Sequence, residues 1–252
     1  MNQVTTKTNA GALATNLFEA DANAGSKNIS QEDLALPFLK VLGQLSPEVN
    51  KRDGKYVEGA EPRMNLTTVT NESFDGAKGI NVLPVFYERK YVEWADRGEG
   101  KGGPVAIHTA DSDIVSQTTR DKSFKDRLPN GNYLENTANH FVILLGDSPQ
   151  TALISMKATQ LKISRKWNSI MMGLKLQGKN GLFTPPTYSH IYNLKTVQMS
   201  NDKGTWFGWE VSKVGPVEDK NVYSIAKGFA DKLDKGEVQV KHNSEDKQDS
   251  PY

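Results

Sequence analysis

Residues 140–178 read HFVILLGDSPQTALISMKATQLKISRKWNSIMMGLKLQG, and a change of period inside this stretch decides the fold. His140 to Gly146 and Gln150 to Thr159 are apolar runs, and Asp147-Ser148-Pro149 between them is turn chemistry, so the pair reads as a β-hairpin. From Gln160 the spacing changes. Ile163, Trp167, Ile170, Met171 and Leu174 recur at three and four residues, which predicts a helix over 160–177 with Gly178 as its stop.

Downstream, Ser189 to Ser200 and Thr205 to Val214 form a second predicted hairpin around Asn201-Asp202-Lys203-Gly204. An amphipathic helix follows over Asn221 to Lys235, with Val222, Ile225, Ala226, Phe229 and Leu233 on one side. Upstream, Gly79 to Ala95 (GINVLPVFYERKYVEWA) is a strand whose Val85, Tyr87, Arg89 and Tyr91 are expected to share one face. Asn130-Gly131 is a turn, and 51–71 reads as loop with short strands. A further helix is expected from Ser30, carrying Leu34, Phe38, Val41, Leu42 and Leu45 to a stop at Ser46-Pro47. This order predicts an α+β, mostly β chain: an OB-like barrel or related short-stranded sheet with inserted helices. Residues 29–236 make its single domain. A polar tail on each side, 1–28 and 237–252, is expected to be disordered.

The composition narrows the chemistry. The 252 residues contain no cysteine, so disulfides, thiolate metal sites and cysteine nucleophiles are excluded. No apolar run approaches the ~20 residues of a membrane helix, and the N-terminus lacks a signal-peptide pattern; the expected location is the cytoplasm. His108, His140, His190 and His242 have no metal-ligand spacing. Gly98, Gly100 and Gly103 spell G-x-G-x-x-G, but Pro104 and a β-like segment follow them instead of a helix, which makes them a hairpin loop. Asp111 and Asp113 alone are too few ligands for a divalent ion. The expectation is a non-enzymatic protein with no cofactor and no metal.

Charge is more informative. The net charge is +1, yet the 54 residues between Asp147 and Asp202 contain no acid and carry Lys157, Lys162, Arg165, Lys166, Lys175, Lys179 and Lys195. Such local asymmetry fits an anionic partner. Lys162, Arg165, Lys166 and Ser169 fall at i, i+3, i+4 and i+7, one face of the predicted helix, whereas Trp167 lies on the apolar face. A solvated helix face usually mixes both signs; this one is all positive. Aromatic residues interleave with the charges. In the strand after Thr205, Phe207, Trp209 and Val211 alternate to one side, leaving Trp206 on the other as a stacking platform for a base. The expected DNA-binding set is Lys157, Lys162, Arg165, Lys166, Lys175 and Lys195 for phosphates, with Tyr192 and Trp206 for bases.

Two resemblances extend this reading. The end of the chain, NSEDKQDSPY, resembles the acidic C-terminal tip of single-stranded DNA-binding proteins, with Tyr252 where that family has phenylalanine. It implies a role for Asp249, Pro251 and Tyr252 in recruiting replication proteins. More broadly, QEDLALPFLKVLGQLSPEV (31–49), KYVEGAEP (55–62), SRKWNSIMMGLKLQGKNG (164–181) and FTPPTYSH (183–190) resemble tailed-bacteriophage proteins thought to bind single-stranded DNA. That resemblance implies sequence-independent binding in phage replication or recombination, inside the host cell. The pattern departs from the phage proteins at Arg63, where they carry glycine. The alternative reading is a phage structural or assembly protein whose basic segment contacts DNA or protein. A nuclease is disfavoured, since metal-dependent cleavage needs clustered carboxylates and the basic segment has none.

Overall fold

The computed structural model describes residues 35–240, apart from 97, 100–102, 203 and 239, together with Ala20 and Ala24. The chain divides into Met1–Leu34 and Ala35–Tyr252, and every element named here lies in the second unit. The strands are β1 (Leu39–Val41), β2 (Asn65–Thr67), β3 (Ser73–Phe74), β4 (Ile80–Trp94), β5 (Ala106–Thr109), β6 (Thr119–Arg120), β7 (Asp126–Arg127), β8 (Tyr133–Leu145) and β9 (Pro149–Lys157). Helix α1 (Leu161–Gly173), β10 (Leu176–Gly178), β11 (Gly181–Phe183), β12 (His190–Asn201), β13 (Gly204–Pro216) and helix α2 (Lys220–Asp234) follow.

The main sheet has eight strands in the order β13-β12-β4-β8-β7-β6, with β5 beside β4 and β9 beside β8, all antiparallel. It curls into a half-barrel, the mostly β, OB-like architecture expected. The hairpins at 140–159 and 189–214 form as expected, with Leu145 opposite Pro149 and Asn201 opposite Gly204. At Asn130-Gly131 the turn also forms, with Gly131 at φ +88°.

The two helices cover opposite faces of the sheet, and the pleat shows why. Val82, Val142, Leu144, Ala152, Ile154, Tyr192, Leu194, Trp209 and Val211 pack with Trp167 and Met171 of α1. Their neighbours Leu83, Phe141, Ile143 and Leu153 pack with Ala226, Phe229 and Leu233 of α2. Successive strand residues point to opposite faces, so a strand covered on both sides must be apolar throughout, as FVILL in β8 is. Gln160, between β9 and α1, accepts a hydrogen bond from the backbone N–H of Trp209 at 3.0 Å. The start of α1 thus spans from β9 to the far edge strand β13 and occupies a ladder group that strand would otherwise leave open.

β4 changes face partway along. Its pairing with β8 shifts between Pro84 and Phe86, a bulge of one residue. Proline is admissible there because it has no N–H to give the ladder. Val85 consequently packs on the α2 side, while Tyr87 lies 5.0 Å, ring centre to ring centre, from His140 on the α1 side. The expectation that Val85 shares a face with Tyr87, Arg89 and Tyr91 is therefore corrected: uninterrupted alternation does not pass through the bulge.

The helix expected from Ser30 is also corrected where it can be checked. Residues 30–34 lie outside the described residues, but Leu39–Val41 is a strand paired with β2. Phe38 bridges Leu153 of β9, and the Leu153 N–H donates to the Pro37 carbonyl at 2.8 Å. Apolar spacing of three and four residues is mimicked here by a segment whose side chains divide among separate clusters: Phe38 on the α2 side, Leu39 and Val41 on the α1 side, Leu42 with Ala60 and Leu66.

Arg63 has φ +82°. Left-handed backbone costs a residue with a Cβ about 1–2 kcal/mol and glycine almost nothing. A glycine at this position would adopt the conformation without that cost. Arg63 is held there by its N–H bond to the Leu42 carbonyl at 2.8 Å, and its own carbonyl lies so close to Gly76 that a Cβ on that glycine would sit 1.9 Å away.

Candidate nucleic-acid interface

α1 begins at Leu161 and ends at Gly173, one turn short of the expected Gly178, because the chain from Leu176 turns into a separate hairpin, β10–β11. Inside the helix the two faces separate as the spacing requires. Trp167 is fully buried and stacks on His140, with ring centres 4.5 Å apart and 16° between planes. Ser164 shares a 2.8 Å hydrogen bond with His140 Nε2. Lys162, Arg165, Lys166 and Ser169 are exposed. Lys162, Arg165 and Lys166 make no ion pair among the described residues. A rigid apolar side thus holds three uncompensated cations toward solvent.

The remaining expected residues are distributed differently. Lys157 is buried, because parity at the end of β9 turns it to the face opposite α1; its Nζ lies 2.7 Å from Glu135 Oε2. It is an internal ion pair and is corrected as a phosphate contact. Tyr192 is likewise corrected as a stacking residue: it is fully buried, its ring centre 5.8 Å from that of Trp167, and burial pushes its phenol up to about 12. Lys195 is exposed, but Leu194 and Thr196 on either side of it are buried, Leu194 against the α1 core. Pleating therefore places Lys195 on the opposite face, directly across from Glu210. Lys175 is exposed at the base of the β10–β11 hairpin, where its Nζ donates to Thr184 Oγ1. Trp206 is half-buried, and its buried indole nitrogen has no hydrogen-bond partner among the described residues. Asp249, Pro251 and Tyr252 lie outside the described residues.

The structure adds residues that the linear reading did not assign to a site. Tyr87 and Arg89 are exposed on the α1 side of β4, and the Arg89 guanidinium carbon lies 5.9 Å from the centre of the Tyr91 ring. Arg89 makes no ion pair among the described residues. The signal was present in YERKY (87–91), but only the bulge at Pro84–Phe86 puts Tyr87 beside His140 and hence beside α1. Lys125, Arg127 and Arg120, by contrast, are consumed locally by Asp96, Asp121 and Asp126. Arg127 holds both Asp96 and Asp121 well below the usual carboxylate range.

With this geometry in place, comparison with known proteins supplies the lineage. A family model described as "Pam3 phage gp34-like protein" matches residues 6–239. The chain belongs to the Pam3 phage gp34-like family. It is accordingly a phage protein, and the family description carries no activity. No curated protein and no solved structure matches the chain. In this gp34-like fold neither described helix is long and apolar enough to cross a membrane, and the described residues hold no group of three or more histidines and carboxylates arranged for a metal.

His140 makes one expected result accessible. Burial pushes its imidazole down from 6.5 to about 3, so it stays neutral in the folded chain. The unfolded chain takes up this proton as pH falls below about 6.5 and the folded chain does not, so stability falls with pH between those values, by about 1.4 kcal/mol per unit. Denaturant midpoints at pH 7, 6, 5 and 4 are expected to decline more steeply for the parent than for His140→Gln, although that variant is less stable at pH 7. Parallel declines would remove His140 as the acid-sensitive group.

Proposed function

We propose that the protein binds single-stranded DNA without sequence specificity, in phage DNA replication or recombination within the host cytoplasm. One observation carries the reading: Lys162, Arg165 and Lys166 stand exposed, with no ion pair among the described residues, on a helix whose other side is locked by Trp167, in a 54-residue segment without a carboxylate. A lone cationic face would attract any polyanion. The exposed Tyr87 and Arg89 on the same side of the sheet favour one with unpaired, stackable bases. Cations neutralise phosphates and release counterions, while aromatic rings meet bases of any sequence. The acidic tail ending in Asp249-Ser250-Pro251-Tyr252 is proposed to recruit replication partners.

Titration of fluorescent oligo-dT at several salt concentrations tests the reading. Log K is expected to fall linearly with log salt, with a slope near −3 for about four phosphate contacts at ~0.7 each. A flat response, or equal affinity for duplex and single strand, would overturn it.

A further inference from the structure

β10 and β11 form a two-stranded sheet separate from the others. Leu176 lies opposite Phe183, Gln177 opposite Leu182 and Gly178 opposite Gly181. Leu176 and Phe183 therefore share one face, and Leu182 occupies the other. Both faces are open: Leu182 is 70% exposed, Phe183 47% and Leu176 39%, with Met172 at the end of α1 62% exposed. A two-stranded hairpin is barely stable alone in water, and large apolar side chains gathered on a surface mark a contact site.

Charge identifies the partner. Lys179 sits at the hairpin tip and Lys175 at its base, both exposed, and the acid-free segment runs through the whole hairpin. The occupant must be anionic and also present flat apolar faces. Unpaired nucleotides do both, whereas a duplex stacks its base faces away. The Phe183 ring leans across Gly178, where an added Cβ would fall 3.1 Å from its Cδ1; the missing side chain leaves the ring that room.

We infer that the β10–β11 hairpin is a base-contacting finger. Phe183 and Leu182 receive unpaired bases on its two faces while Lys179, with the cations of α1, holds the flanking phosphates. The inference rests on the proposed single-strand binding and adds to it where bases are met.

The test compares oligo-dT with a base-free deoxyribose-phosphate chain of the same length. The parent protein is expected to prefer oligo-dT by roughly five- to hundredfold, the range of one stacked base. Phe183→Ala with Leu182→Ser, checked for fold by circular dichroism, is expected to lower that preference by about fivefold or more, the contribution of a single stacked base, while its affinity for the base-free chain and its salt slope stay unchanged. A parent that binds both chains equally, or a variant that keeps the preference, overturns the finger and leaves the proposed binding standing. Failure of the parent to bind either chain overturns the binding itself. A variant altered only in sedimentation would make the hairpin a contact between copies and overturn the finger.

Discussion

Replacing Lys162, Arg165 and Lys166 together by alanine is expected to weaken binding to oligo-dT about a hundredfold at 0.1 M salt. Counterion release sets the size of the loss: three phosphate contacts at ~0.7 each lower the salt slope by about 2, and one decade of salt separates 0.1 M from the 1 M reference. The loss should be the same for every DNA sequence, because phosphate contacts carry no sequence information. Stability should hardly change. All three side chains are exposed and make no ion pair among the described residues, alanine is the best helix former, and exposed charges contribute little. Salt titration of parent and triple variant checks both slope and affinity. Unchanged binding would make this face ordinary solvated surface.

Trp167→Ala should act almost entirely on the fold, destabilising the protein by about 3–5 kcal/mol. The indole is wholly buried between His140 and Tyr192, and its removal leaves a cavity lined by residues fixed in two layers. Denaturant unfolding measures the loss. At temperatures where circular dichroism shows the variant folded, its affinity for oligo-dT should equal the parent's. A folded Trp167→Ala that no longer binds would assign the indole to the bases and reverse the roles given to the two faces of α1.

The two hairpins and both helices were legible because their signals are local: β-rich runs around Asp147-Ser148-Pro149 and Asn201-Asp202-Lys203-Gly204, and helical spacing through Trp167 and Phe229. What was not legible depends on partners distant in sequence. Segment 35–45 carries helical spacing, yet β2 and β9 hold residues 38–41 extended. Lys157 belongs to the basic segment by composition, but the parity of β9 turns it to Glu135. Tyr192 and Lys195 differ by three residues, so pleating puts the first beneath α1 and the second on the opposite face. On α1 the cations and Trp167 were separable in advance because a single helix sets their angular relation without any remote partner.

The bulge at Pro84–Phe86 also bears on which chain lengths this fold can accept. Removing one residue between Phe86 and Tyr91 would rotate the outer part of β4 by half a period, exchanging Arg89 and Tyr91 with Glu88 and Lys90 across the sheet. Removing two would shorten the strand and leave every orientation as it was. Insertions and deletions within β4 among homologous chains should therefore come in even numbers, unless the bulge itself is gained or lost along with them.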